Sequence, residues 1–121
     1  MFYLKKMLWM GYLMGREYTP DRWRIVEITP KDICNPPYFR ILASWYGGFV
    51  GSDSWKLSSG ITEVKDKDTY WEVPNYSGSV YILYKNRKGM SSLGSSVLAR
   101  YKSDAEHLMT INECEIEDVL L

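Results

Sequence analysis

Short runs of alternating apolar and polar residues fill the middle of the chain, from Tyr38 to Tyr84, and turn-forming Gly, Ser, Asn and Pro residues separate them. Alternation with a period of two is typical of half-buried strands, and the separating residues are typical of tight turns. The runs recur about every ten residues, which is the spacing of an antiparallel meander or barrel. We therefore predict an α+β fold, mainly antiparallel sheet curled toward a small barrel.

Apolar and β-branched residues place the individual strands. The predicted strands are Trp23–Ile28, Tyr38–Trp45, Trp55–Leu57, Ile61–Val64, Thr69–Val73 and Ser79–Tyr84. In the second of these strands, the face predicted to carry polar chemistry is formed by Tyr38, Arg40, Leu42 and Ser44. The proline-rich segment over residues 30–37 is predicted to be a surface loop, because proline cannot donate to a sheet.

The periodicity changes to that of a helix after the last predicted strand. Apolar residues then recur on one helical face, with Ser91 or Ser92 as the N-cap, which predicts a short helix near residues 91–102. The four residues that begin at Ser103 have the form of a capping box, so a further helical turn is predicted there. The looser alternation over residues 109–119 predicts an edge strand.

The whole chain, residues 1–121, is predicted to be one domain, since its length suits a single core. Residues 2–14 fit a helix or a strand equally well, and residues 1–20 are open to a second interpretation as an N-terminal arm or an oligomer contact. The apolar run near the start is too short to span a bilayer and lacks the cleavage site of a signal peptide. We therefore expect no membrane association.

Charge and cysteine content narrow the class of function. Fifteen basic residues balance fifteen acidic ones, so the net charge would not attract a polyphosphate backbone, and we expect no binding to duplex nucleic acid. The two cysteines, Cys34 and Cys114, lack a CxxC partner, which suits free thiols in the cytoplasm, although one bridge between them remains open. Aromatic residues make up 15% of the chain; they suit interfaces and ligand walls, but β-proteins are also rich in them.

No catalytic or metal signature stands out in the sequence. The only histidine, His107, lies in a polar segment and is more typical of a solvated surface residue than of a catalytic base. The cysteines and this histidine match no zinc spacing, so we expect neither a metal nor another cofactor. Glu63 and Glu72 are expected on adjacent strands as cross-strand neighbours, where paired carboxylates could serve a small hydrolase. The favoured expectation is that the protein is not an enzyme.

Rings, hydroxyls and one cation are concentrated at the turns and strand ends of the middle region. Rings can stack on a planar base, Arg can bind a phosphate, and Ser hydroxyls can bond ribose or phosphate oxygens. The residues predicted to bind such a ligand are Arg40, Trp45, Tyr46, Ser54, Trp55, Ser58, Ser59, Tyr76, Ser77, Ser79 and Tyr81. The glycines of residues 47–51 could add backbone amides for an anion, although β-turn glycines are the commoner explanation. The alternative for the whole set is ordinary turn chemistry together with an aromatic face that binds protein.

The segment RILASWYGGFVGSDSWKLSSGI, followed by SGSVY and KGMSS, resembles small proteins of unassigned activity that bacterial genomes and phages encode. The resemblance covers about residues 38–98, and no functional residue carries over from it. It implies a context in which compact accessory proteins inhibit or sequester components of host defence by stoichiometric binding.

Three functions follow from these observations. The favoured one is a cytoplasmic, non-enzymatic phage protein that counters host defence by sequestering a small nucleotide-like signalling ligand, as a homo-oligomer. The second is an inhibitor or adaptor that docks a host protein through exposed Tyr and Trp side chains. The third is the small hydrolase.

Overall fold

The computed structural model describes residues 16–48 and 51–119, and it is an α+β structure built mainly of antiparallel sheet. The strands are β1 (Glu17–Tyr18), β2 (Arg22–Pro30), β3 (Tyr38–Trp45), β4 (Ser54–Leu57), β5 (Lys65–Asp66), β6 (Tyr70–Pro74), β7 (Val80–Tyr84) and β8 (Met109–Cys114). The helices are α1 (Ser92–Asp104) and α2 (Ile116–Val119), with a 3-10 turn at Lys85–Arg87. The predicted fold class is confirmed, while the prediction for residues 2–14 falls outside the described part of the chain.

Two four-stranded sheets make up the body. The first sheet has the order β4-β3-β2-β8 and is antiparallel throughout; the second has the order β1-β7-β6-β5, with β1 parallel to β7. One extended segment after β4 passes from the first sheet to the second, because the Ser58 amide donates to Ile41 of β3 and the Thr62 amide donates to Pro74 of β6. The described strands curl toward each other in this way but do not close into a barrel.

The main core lies between the two sheets, because alternate residues of the central strands point toward the opposite sheet. Its buried members are Trp23, Ile25, Ile41, Ala43, Trp71, Val73, Tyr81, Leu83 and Ile116. Burial of this apolar surface is the main favourable contribution to folding. It also fixes the strand register, since a slip of one residue would move every side chain of a strand to the other face.

Helix α1 covers the opposite face of the first sheet. The buried residues of this second core are Val26, Ile28, Leu42, Leu98 and Ile111. The prediction that this face of β3 carries polar chemistry is wrong for Leu42 and Ser44, which are only 2% and 4% exposed. The polar part of this face is therefore limited to Tyr38 and Arg40, at the start of β3.

Helix α1 begins where the sequence predicts. The Ser91 hydroxyl accepts a hydrogen bond from the Gly94 amide at 3.0 Å, which makes Ser91 the N-cap. The helix continues to Asp104, so the separate helical turn predicted from Ser103 does not form. The predicted edge strand is β8, although the residues after it fold as α2. None of the helices in the described part of the chain is long and apolar enough to cross a membrane.

Candidate functional site

Two of the residues predicted to bind a ligand lie inside the fold. Tyr81 is 1% exposed and its ring stacks on Tyr18, with the ring centroids 5.0 Å apart. Burial raises the pKa of the Tyr81 hydroxyl to about 12. Ser58 is buried, and its hydroxyl accepts a hydrogen bond from the Ile41 amide at 2.8 Å and donates to the Ser59 carbonyl at 2.7 Å. Both side chains stabilise the structure and offer no surface to a ligand.

Arg40, Trp45 and Tyr46 remain partly exposed, but only Arg40 lies beside the predicted serines. Arg40 Nε donates to the Ser58 carbonyl at 2.5 Å, which ties the guanidinium to the backbone. Trp45 Nε1 donates to the Thr19 carbonyl at 3.0 Å at the other end of β3. Tyr46 follows it there and is half exposed. Arg40 therefore lies at the opposite end of β3 from Trp45 and Tyr46.

Four of the predicted residues do come together, at the turn after β6. The Ser59 hydroxyl accepts a hydrogen bond from the Ser77 amide at 3.1 Å, and the Ser77 and Ser79 hydroxyls lie 3.3 Å apart. The Tyr76 amide donates to the Gly60 carbonyl, and its ring is 80% exposed. These hydroxyls bond to one another and to the backbone, which is how serines stabilise a turn.

The glycine segment after β3 also uses its own polar groups. The Gly47 amide donates to Asp53 Oδ1 at 3.0 Å. A Cβ on Gly47 would come within 2.2 Å of the Gly51 carbonyl oxygen, so the close approach of two backbone segments requires glycine there. An anion would have to displace the Asp53 carboxylate to reach this amide. The geometry is that of a tight turn.

Trp55 lies in a different place, in an apolar groove of about 580 Å³ between α1 and β4. The groove is lined by Trp55, Val97, Arg100, Tyr101, Asp104, Ala105 and Leu108. Trp55 is 40% exposed, Tyr101 38% and Leu108 57%, and the rings of Trp55 and Tyr101 meet edge to face. We call this surface the α1–β4 groove.

The local sequence explains how the groove forms. Val97 and Tyr101 are four residues apart, so they lie on the same face of α1. Trp55 and Leu57 are two residues apart and share one face of β4; Leu57 packs on the core beneath α1, whereas Trp55 lies further out and stays exposed. The apolar face of α1 therefore packs on β4, and the groove lies along the side of the helix.

The rim of the groove is polar but carries no net charge. Arg100 Nε lies 3.7 Å from Asp104 Oδ2, and both side chains are mostly exposed. Of the residues that line the groove, only Trp55 is singled out by the sequence pattern. Tyr101 falls on the apolar stripe of the helix, and such a stripe does not distinguish a buried residue from a half-exposed one. Leu108 stands alone in a polar segment and gives no signal.

Glu63 and Glu72 are not paired across neighbouring strands. Lys65 is the residue opposite Glu72 in the β5–β6 pair, and Lys67 Nζ lies 3.7 Å from the Glu72 carboxylate. Glu63 and His107 are exposed. The expected cross-strand pairing of the two glutamates is therefore wrong. Among residues 16–48 and 51–119, no three His, Cys, Asp or Glu side chains are grouped so that they could hold a metal ion.

No protein-family model matches the chain, and neither a curated protein nor a solved structure matches it significantly.

Proposed function

We propose that the protein is a non-enzymatic binding protein that docks a partner protein through the α1–β4 groove. The observation that carries the proposal is the pair of half-exposed rings, Trp55 and Tyr101, which share one apolar groove with the exposed Leu108. Large apolar side chains gathered at one place on a surface mark contact sites. Trp and Tyr are also the residues that most often dominate the binding energy of an interface.

The chemistry of the groove suits an apolar side chain of a partner segment. Its walls are mainly carbon, from aliphatic and aromatic side chains. The two charged residues, Arg100 and Asp104, have opposite signs and lie close to each other. Such a rim can orient a peptide through hydrogen bonds but adds no net attraction for a polyanion. The proposed partner is therefore a protein segment that inserts one or two large apolar side chains between Trp55 and Leu108.

A small nucleotide-like ligand, which the sequence favours, fits this geometry less well. The hydroxyls of Ser59, Ser77 and Ser79 lie at the turn after β6, and Arg40 bonds to the backbone. A nucleotide in the groove would therefore find rings, but none of the predicted hydroxyls and only Arg100 as a phosphate partner. Capture of a nucleotide and the phage context stay predictions of the sequence.

The proposal is tested with peptide libraries selected against the wild-type protein. The selected peptides are titrated against Trp55→Ala and Tyr101→Ala, with Tyr76→Ala as the matched control, because Tyr76 is an exposed ring outside the groove. We expect each groove variant to weaken binding by at least about 10-fold, as loss of a dominant interface side chain does, and the control to bind like the wild type. Equal binding by all three variants, or selected peptides without apolar residues, contradicts the proposal.

A thermal-shift panel of linear and cyclic nucleotides separates the small-ligand function from docking of a protein. Any ligand that binds the folded state raises the melting temperature by mass action. We expect none of the nucleotides to do so. A shift that disappears in Trp55→Ala would replace the docking proposal with capture of a small ligand in the same groove.

A further inference from the structure

Strand β8 forms one edge of the first sheet, and no strand of the described residues pairs with its outer side. It pairs with β2 over all of its 6 residues, in consecutive register and without a bulge. Just before the strand, the Lys31 amide donates to the Leu108 carbonyl. Because peptide groups alternate between the two sides of an antiparallel strand, those of the even-numbered residues face β2, and those of Ile111 and Glu113 face outward.

Edges of native sheets are normally protected against further pairing by prolines, lysines, bulges or very short strands. The other edges of the two sheets follow this rule, since β1 and β5 have 2 residues each and β4 carries Lys56. Strand β8 has neither proline nor lysine. Its one charged side chain, Glu113, lies 3.4 Å from Arg24 Nε on the neighbouring strand. An edge of this kind is suited to accept another strand.

We propose that β8 pairs with β8 of a second copy of this chain, in antiparallel orientation about a two-fold axis perpendicular to the sheet. A symmetric dimer uses the same patch on both copies, and for a strand edge about this axis the two strands run antiparallel. The pairing joins the two copies of the four-stranded first sheet into one continuous sheet. Both copies of α1 then lie on the same face of that sheet.

The peptide groups that face outward select the register. The Met109 amide already donates to the Ala105 carbonyl and is not available to a second strand. Pairing Ile111 with Glu113 of the second copy uses the N–H and C=O groups of both residues on each side of the axis. The neighbouring symmetric register, with Ile111 opposite Ile111, would leave the Glu113 carbonyl without a donor.

Side-chain charge agrees with this register. Each Glu113 lies opposite an isoleucine, so no like charges face each other across the new pair. The dimer is tested separately from the proposed docking function, because Ile111 and Glu113, the residues that pair across the axis, do not line the α1–β4 groove. Either surface can be disrupted without the other, and failure of one proposal leaves the other standing.

The first test measures the mass of the full chain by light scattering over a concentration series. We expect twice the 14.1 kDa of one chain at high concentration, with dissociation on dilution. Glu113→Pro removes the outward amide hydrogen, whereas Glu113→Ala removes the same side chain and keeps that hydrogen. We expect the proline variant to weaken the dimer by at least about 10-fold relative to the alanine variant. A monomer at every concentration, or equal dimer affinity in the two variants, overturns the proposal.

The second test does not depend on proline. In the proposed register Asn112 faces Asn112 of the second copy at a position without hydrogen bonds, where Cα atoms lie about 4.5 Å apart, within reach of a disulfide. In a Cys34→Ser background, we expect Asn112→Cys to give a covalent dimer on mild oxidation. The control, Ser96→Cys on the exposed side of α1, is expected to give none. Equal yields from the two variants, or no dimer from Asn112→Cys, contradict the pairing.

Discussion

Trp55 of β4 and Tyr101 of α1 meet edge to face, with their ring centroids 6.0 Å apart and their planes at 84°. This contact joins an edge strand to the helix that crosses it, through two side chains that are each more than a third exposed. In such a pair the positive edge of one ring lies against the negative face of the other, so the attraction exceeds that of buried area alone. The wall of the α1–β4 groove is therefore held in place without a partner.

We predict an interaction free energy of about 0.5–1.5 kcal/mol between these two rings, the range found for aromatic pairs. It is measured by a double-mutant cycle from urea unfolding of Trp55→Ala, Tyr101→Ala and the double variant. Tyr76→Ala combined with Tyr101→Ala is the control, because Tyr76 lies outside the groove and the two changes should be additive. A coupling for the Trp55 pair no larger than that of the control would show that the contact does not stabilise the fold.

Ser58→Ala is expected to lower the free energy of unfolding by about 1–3 kcal/mol, because the buried Ile41 amide loses its acceptor. Ser77→Ala is the matched control: its hydroxyl lies at an exposed turn, and the expected change is within about 0.5 kcal/mol. Urea unfolding measures both. If Ser58→Ala lowers the free energy of unfolding by no more than the control does, the Ser58 hydroxyl does not serve as the acceptor that joins the segment after β4 to β3.

The positions of several elements could be predicted from local sequence. Strand β3 has the predicted bounds because its alternation runs unbroken between Pro37 and Gly47, residue types that interrupt strands. Helix α1 starts directly after Ser91, because the serine hydroxyl at this N-cap accepts a hydrogen bond from a helix amide that would otherwise lack a partner. Local sequence could not predict in the same way which faces of the strands and helices pack against each other. Leu42 is buried by a helix far along the chain, and no local pattern contains that contact.

The candidate site was less predictable for the same reason. Ser58 resembles any turn serine until the extended path of the chain beside β3 brings its hydroxyl to the Ile41 amide. Tyr81 is a residue type that often lines a ligand site, yet its position in β7 places its side chain in the core between the sheets. The contact of Tyr101 with Trp55 depends on where α1 crosses the first sheet. Residue type and spacing indicate which side chains are able to bind, whereas tertiary packing decides which remain accessible.

Tyr81 makes stability depend on pH in the alkaline range. Burial, with a smaller contribution from Tyr18, raises the pKa of its hydroxyl from 10.0 to about 12. The stabilising contribution is complete below the pKa of the unfolded chain, near 10, and is lost as pH rises toward about 12, because over that range mainly the unfolded state releases the proton. We predict that unfolding free energies, measured in urea between about pH 8 and 12, fall less steeply for Tyr81→Phe than for the wild type. Tyr76→Phe, at an exposed ring, is the control, and parallel curves for all three proteins would contradict the prediction.

Cys34 and Cys114 are both free thiols, so the bridge that the sequence left open is not formed. Cys34 is exposed in the loop between β2 and β3. Cys114, at the end of β8, is half-buried, and burial together with the Asp118 and Glu27 carboxylates raises the pKa of its thiol to about 11. Because the thiolate is the reactive form, only about one Cys114 in a thousand is reactive near pH 8.

We predict two well-separated phases when the folded protein reacts with dithionitrobenzoate near pH 8, since one thiol is exposed and the other is held protonated. The slow phase should belong to Cys114 and be roughly 200-fold slower than the reaction of an ordinary thiol, the ratio of the two thiolate fractions near pH 8 when the pKa rises from its usual 8.5 to about 11. Cys34→Ser should remove the fast phase and leave the slow one. In urea the same variant should react quickly, because unfolding removes the burial that protects Cys114. A fast reaction of folded Cys34→Ser would mean that the end of β8 opens readily, and it would contradict the prediction that Cys114 is protected.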